Sequence, residues 1–434
     1  MQKLLIALLS AGLTSPLLTA QAGPGWTDPG AGPAYDHAAF DVSLFPANMT
    51  ATGISQIAHC DNGLPGMTPG QFCVSMTNAG LSSTYGNTGA TGMCMGLYDR
   101  SLATPVFTPN TMANKMNPST GEGVFGLMIE NRDGLYAVCD WATGVRISSR
   151  VTNAGDFHDP IMVTTATGTP VLGTYVDPAL AYIKGVLHML YVNAYGRIVR
   201  RPFILLHGGP NGELTSAELQ GPERDTVITT GATTHSPTPM CDSTGELVGI
   251  FYHKTVSGDS DAHLKSGTHL ADHQGDVNDE AGWQNNGAVL GGTFVSANSA
   301  AVPGYSKARA RNMAWLLASR PAVGTTMTIQ MGCHNSGIAG VPPTMTVYAA
   351  LANMAPLALP GINGFLGINP APVLLPVVGI PVPTLEGRAE VKIPVPNDPT
   401  IKGFALPIQG FATIVTANGV EGVFSNTTFI RIRK

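Results

Sequence analysis

The feature that constrains this chain most is a recurring unit of short strands joined by tight turns. Residues 176–201 show it most clearly. VDPALAYI, VLHMLYVN and RIVRRPFI are three apolar segments of strand length, separated by Lys184-Gly185 and Tyr195-Gly196. Gly in such a turn supplies the positive φ that hairpin turns need. Similar units open near residues 124, 235 and 283, with FCVSM and GMCMGLY in 61–110 as a weaker one. The spacing is near the ~40–50 residues of a repeated four-stranded unit once loops are allowed for. A unit of this kind cannot bury both faces alone, so several must stack around a centre.

The sequence therefore predicts an all-β protein: a β-propeller of five blades over 61–320, followed by a β-sandwich over 321–434. Residues 23–60 read as an N-terminal arm that helps to close the propeller. The end of 300–319 carries Ala, Met, Trp and Leu at helical spacing, and a linker helix or a final blade insertion is expected there. From 321 onward, alternating strands such as TMTIQMG and EVKIPVP are separated by Pro/Gly turns over about 110 residues, the size of a sandwich. With its IPVPNDP and its Gln409–Thr413 run, this segment resembles a C-terminal module of exported bacterial proteins.

Residues 1–22 predict a signal peptide. Lys3 precedes the apolar run LLIALLSAGL, and Ala20-Gln21-Ala22 is a small-residue cleavage site. The run is shorter than the ~20 residues of a span and Pro16 interrupts it. The mature chain is expected to be exported, after cleavage near Ala22, without a transmembrane span. Only 12% of residues are charged and the net charge is −5. No basic stripe is present, which argues against a nucleic-acid partner. Six cysteines in an exported chain invite disulfides. Cys60 and Cys73 flank a Gly/Pro loop and are the favoured pair. No CxxC or zinc-ligand spacing occurs, and a monomer is expected.

In a propeller the innermost strand of each blade begins at the central funnel, where side chains from several blades share one concavity. Asp177, His235, and Trp283 with Gln284, Asn285 and Asn286 stand at such positions. Asp177-Pro178 before an apolar run resembles the five-bladed propeller glycosidases of the arabinanase, xylosidase and fructosidase type, over roughly residues 120–295. In that family the Asp-Pro carboxylate orients and tunes the acid. The resemblance implies cleavage of glycosidic bonds by paired carboxylates. Asp159-Pro160 is a second copy of the motif, with Asp159 as candidate base. Glu218 and Glu223 are the candidate acids, because His235-Ser236-Pro237 stands where the family has a glutamate.

His235 also fits a lyase, in which a His or Tyr removes the proton α to a carboxylate. Tyr252 and Tyr175 are further candidate bases, and Arg197, Arg200 or Arg201 would neutralise the uronate. Trp283, Asn285, Asn286, Arg197 and Arg200 are the substrate-binding candidates. Asp259, Asp261 and His263 offer ligands of the kind a calcium ion takes; His269 and His273 share a four-residue spacing. The plainer readings are a turn role for Asp177, backbone bonding for His235 and a solvated face for the His/Asp loop. A serine-hydrolase reading is weaker, since no G-x-S-x-G is present and no nucleophile elbow is visible. The expected activity is that of an exported glycoside hydrolase or lyase acting on a carbohydrate polymer or oligosaccharide. The alternative is a non-catalytic glycan- or surface-binding protein.

Overall fold

The computed structural model describes the strand segments 37–40, 54–60, 71–79, 91–99 and 106–110 and the pieces 125–126, 130–131 and 134–139. It further describes 144–150, 158–171, 177–208, 213–227, 233–256, 259–266, 274–278, 284–290, 293–302 and 305–311. At the C-terminal end it describes 314–333, 341–369, 377–383, 388–416 and 419–433. These residues are almost entirely strands. No helix among them is long and apolar enough to cross a membrane.

The strands fall into successive groups. After β1 (His37–Phe40), the first group is β2 (Ile54–Cys60), β3 (Gln71–Ala79), β4 (Thr91–Asp99) and β5 (Val106–Asn110), an antiparallel sheet in chain order. Its register sets Cys60 opposite Cys73, the favoured disulfide pair. The second group is β6 (Phe125–Gly126), β7 (Glu130–Asn131), β8 (Gly134–Cys139), β9 (Arg146–Arg150) and β10 (Ile161–Thr165). The third is β11 (Ala179–Ile183), β12 (Val186–Val192), β13 (Ile198–Gly208), β14 (Glu213–Leu219) and β15 (Arg224–Val227). These two groups share one ladder, because β10 pairs in parallel with β14 and antiparallel with β9. The fourth is the meander β16 (Thr233–Cys241), β17 (Leu247–Val256), β18 (Asp259–Ser266) and β19 (Gln274–Asn278). The last is β20 (Gln284–Leu290), β21 (Thr293–Val302) and β22 (Tyr305–Arg311), and β1 completes it by pairing with β22.

This is the propeller arrangement. Each group starts at an inner edge, and the inner strands approach one another in turn: β2 with β6, β6 with β11, β11 with β16, β16 with β20, and β20 with β2. β1 joins the last group by pairing with β22, so the two ends of the ring are joined by strand pairing, while β2, also within 23–60, belongs to the first group.

The faces of the third group explain its packing. Leu180, Leu187, Met189, Tyr191, Val199 and Phe203 pack with Val138, Ile147 and Val163 of the second group. Ala179, Ala181, Leu190, Val192 and Ile198 pack with Leu247, Ile250 and Tyr252 of the fourth. Both faces are covered, so the strands read as unbroken apolar runs rather than as alternation. Lys184 (φ 52°) and Gly185 (φ 78°) form the β11–β12 turn with two positive φ angles, the type I′ signature.

The C-terminal module contains β23 (Ala314–Ala318), β24 (Thr326–Cys333), β25 (Thr344–Ala349), β26 (Asn353–Ala358), β27 (Ile362–Asn363) and β28 (Phe365–Ile368). It ends with β29 (Val377–Pro381), β30 (Arg388–Pro394), β31 (Ala405–Thr416) and β32 (Gly419–Arg431). One sheet runs β29-β25-β31-β32-β23-β24-β30 and encloses a core in which β24 and β25 both take part. The helix expected at the end of 300–319 is corrected here: residues 314–318 form a strand of this sheet, ahead of the boundary expected at 321. All five residues of AWLLA are buried. Ala314, Leu316 and Ala318 face the module core, whereas Trp315 and Leu317 face Val248, Phe251 and Leu264 of the propeller. A short apolar run buried on both faces carries no period that separates strand from helix.

Candidate functional site

The end of the third group that carries Asp177 is built from local turns. Ala179 pairs with Leu190, so the chain before β11 runs back beside Val192 and Asn193. Asn193 then shapes the β12–β13 turn. Its Oδ1 accepts from the backbone N–H of Tyr195 at 3.0 Å and of Arg197 at 3.2 Å. The turn presents Tyr195, which is 81% exposed, with the Arg197 guanidinium 5.9 Å from its ring centre. Arg197 also pairs with Asp225 at 3.1 Å. The head of β16 is tied to the same turn, because Thr234 Oγ donates to the Gly196 carbonyl at 2.7 Å. Asp177 and the Thr234-His235 step therefore lie at one end of two adjacent blades.

Asp177 is 1% exposed and adopts φ 45°, a left-handed conformation, directly before Pro178. Glu223, ahead of β15, is exposed and reaches the β12–β13 turn. The Tyr191 hydroxyl donates to its Oε1 and Asn193 Nδ2 to its Oε2, both at 2.8 Å. Burial, followed by the bond to Glu223, pushes the Tyr191 hydroxyl well above the usual tyrosine range.

The other sequence candidates are dispersed. Asp159 is exposed and precedes β10, which is separated from β11 by β12, β13 and β14 in the sheet order. Four strand spacings of ~4.8 Å put the two strands roughly 19 Å apart, so Asp159 and Asp177 are not brought together as a carboxylate pair. Glu218 sits within β14 and accepts from Gln220 Nε2. Arg200 is half-buried on the opposite face of β13 from Arg197, and burial first, then the like charge of Arg224, lowers its pKa. Arg201 donates to the Leu219 and Gln220 carbonyls and so holds the bend before β15.

Tyr252 is 1% exposed between the third and fourth groups, stacked on His263 with ring centres 5.5 Å apart. That placement removes it from the funnel end as a base. Burial, and then the charges of Lys254 and His253, hold His263 down at about 3. Asp259, Asp261 and His263 occupy alternate positions of β18, opposite Val256, Lys254 and Tyr252. They are strung along roughly 13 Å of strand, and among the described residues no group of three or more His, Cys, Asp or Glu is placed to hold a metal. His235 pairs in register with His253, and Asn285 and Asn286 lie in β20. Their side chains, with those of Asp259 and Asp261, and the whole of Tyr175, Trp283, His269, His273 and the signal peptide, lie outside the described residues.

Tyr191, Asn193, Tyr195 and Asp225 were not singled out in the sequence. An Asn two residues before an aromatic-Gly turn was the available signal, since Asn shapes such turns through its own side chain.

No family model matches the sequence, and no curated protein matches it. Solved structures of similar chain course include a Bacteroides ovatus GH43B from a xyloglucan utilisation locus. It is 9% identical with a TM-score of 0.39, over 88% of this chain and 95% of that one. A Phanerochaete chrysosporium exo-β-1,3-galactanase is 9% identical with a TM-score of 0.35, over 94% and 99%. A Bombyx mori GH32 β-fructofuranosidase is 11% identical with a TM-score of 0.34, over 90% and 92%. Likeness this loose transfers neither a substrate nor a residue role.

Proposed function

We propose that this is an exported carbohydrate-active protein that cleaves an oligosaccharide or polysaccharide at the Asp177 end of the ring. The observation that carries the reading is Asp177 itself. A carboxylate shut away from water, on a non-glycine residue with left-handed φ, combines two costs at the head of an inner strand. The backbone conformation alone costs on the order of 1–2 kcal/mol, and such strain gathers at functional sites. A closed-off carboxylate suits the orienting and tuning role that the Asp-Pro resemblance implies, rather than direct attack. Glu223, exposed and at the same end, is better placed than Glu218 to act as acid. His235, one residue beyond the tied Thr234, is the base in a lyase version of the same site.

The test is a panel of neutral and acidic polysaccharides, followed by reducing ends and by ultraviolet absorbance of unsaturated product. Asp177→Asn should lower kcat by about 10²-fold or more with little change in KM, as loss of a positioning group in acid–base catalysis does. An Asp177→Asn enzyme with unchanged kcat would sink the assignment.

One observation favours a second reading, a non-catalytic glycan-binding protein. Both oxygens of Glu223 are already engaged and Asp177 is closed off, whereas Tyr195, with the Arg197–Asp225 pair beside it, is open to a ligand. Retention on an immobilised glycan without product release would favour this reading.

A further inference from the structure

The C-terminal module contains a pocket of about 130 Å³ between the β24–β30 and β25–β31 sides of its core. Every residue that lines it is apolar. Met327, Ile329, Val347, Ala349 and Ile408 form a floor that is at most 5% exposed. Ile393, Phe404, Leu406 and Ile430 form a half-buried rim. The stretch after β30 borders the pocket through Val395, Pro396 and Ile401. It is held in shape by Asp398, whose Oδ1 accepts from the Thr400 N–H at 2.9 Å and hydroxyl at 2.7 Å.

We propose that this pocket is a binding site for a small apolar group: a single aromatic ring or the end of an alkyl chain. Three features point to that class. A sugar or other polyhydroxyl ligand needs convergent donors and acceptors, and the lining supplies none. An enclosed apolar cavity of ~150 Å³ is large enough for benzene or xenon, so a pocket of this volume fits about six carbons. The apolar rim extends the same kind of lining outward, along which an alkyl chain can continue. The site belongs to a different module from Asp177 and does not depend on the carbohydrate reading.

The experiment uses the full chain. Benzene at about ten times its dissociation constant should raise the unfolding midpoint of the full chain by roughly 1–2 °C, as binding to the native state does. Pyridine, similar in shape but polar, should have a much smaller effect at the same concentration. A crystal pressurised with xenon should show density inside the pocket. Ala349→Leu, which adds bulk at the floor, should abolish the benzene response. An unchanged midpoint with benzene together with no xenon in the pocket would overturn the proposal. So would a benzene response that persists in a folded Ala349→Leu variant. The xenon measurement on the unmodified protein keeps the test decisive if that variant does not fold.

Discussion

The two ends of the β11–β12 hairpin are built to opposite rules. At the Asp177 end, the bond from Thr234 to the Gly196 carbonyl joins the two blades, while the other polar side chains bond within the third group and leave Tyr195 in solvent. At the Lys184 end, the β11–β12 turn is clamped to the Asp242–Glu246 turn. Lys184 N–H donates to the Gly245 carbonyl at 2.8 Å, and its ammonium meets Glu246 at 3.1 Å. Gly245 (φ 76°) approaches Lys184 so closely that an added Cβ would sit 3.2 Å from its backbone nitrogen. The same Asp242–Glu246 turn is gripped by the C-terminal module. Thr328 Oγ donates to Asp242 Oδ2 at 2.9 Å, the Ser243 hydroxyl donates to Glu390 at 2.7 Å, and Gln330 donates to the Cys241 carbonyl at 2.9 Å. The difference teaches a division of labour. The C-terminal module supports one end of the third and fourth groups, and the opposite end keeps groups that can meet a ligand.

Trp315→Ala should break the clamped end most severely. The ring is 0% exposed and packs edge-on to Phe251 at 5.8 Å. Gly332 lies directly across from it, where an added Cβ would come within 2.3 Å of the indole. Loss of a fully buried aromatic costs about 3–5 kcal/mol. Denaturant unfolding should show that loss, with the module and the propeller no longer melting together.

A smaller effect is expected from Asp242→Ala. Its Oδ1 accepts from the Thr244 N–H, the Thr244 hydroxyl and the Glu246 N–H, beyond the Thr328 bond to Oδ2. Leaving such donors unsatisfied costs roughly 1–3 kcal/mol. The carboxylate also makes the joint sensitive to acid. Burial works to raise its pKa, but the bonds from Thr244, Glu246 and Thr328 outweigh it and leave the group lowered. Glu390 is lowered likewise, by bonds from Ser243 and Gln330 that outweigh its burial. Groups lowered on folding stabilise fully above their unfolded values near ~4, and that contribution disappears as pH falls through the folded ones. Asp242→Asn should therefore flatten the loss of stability below about pH 4. An unchanged acid limb would show that the joint is not held through this carboxylate.

His263 gives a third contrast, in a different pH window. It is neutral in the fold, held at about 3 chiefly by burial, against 6.5 for an ordinary histidine. The unfolded chain takes up a proton below about pH 6.5 that the native chain refuses. Stability is therefore highest above that pH and falls as pH drops from about 6.5 toward 3, by up to ~1.4 kcal/mol per pH unit. His263→Gln should remove that slope between pH 6 and 4, measured as midpoint against pH, while leaving the Asp242 limb below it.

The clamped end was only partly legible in the sequence. Lys184-Gly185 and the Asp242–Gly245 stretch announce turns, because Gly and Asp supply the required conformations. That the two turns meet depends on blade order, and no local pattern records it. AWLLA defeated the period test because a strand buried on both faces is as uniformly apolar as a buried helix segment. At the other end, Asp177 was legible from the Asp-Pro step before an apolar run. The Tyr191–Glu223 pair was not, because the two residues lie 32 positions apart and are joined across β13. Asp159 repeats the motif but sits at the outer side of the ladder, since β10 crosses to pair with β14. A two-residue motif carries no information about which strand it begins.

Tyr195→Ala should have the smallest effect on stability and the most informative one on function. The ring is 81% exposed, so removing it should change the unfolding midpoint little, as surface substitutions do within about ±0.5 kcal/mol. Asn193 shapes the turn through Tyr195's backbone N–H, which alanine keeps, so the presentation of Arg197 survives. If the Asp177 end is where a glycan lands, the variant should lose retention on that glycan by about 10-fold, the range of a well-placed aromatic contact of ~1–2 kcal/mol. In a hydrolase or lyase that loss should appear in KM, with kcat kept; in a binding protein it should appear in Kd with no product from either form. A variant that binds and turns over unchanged would move the ligand away from this turn, and the open end of the hairpin would then be no more than the unclamped one.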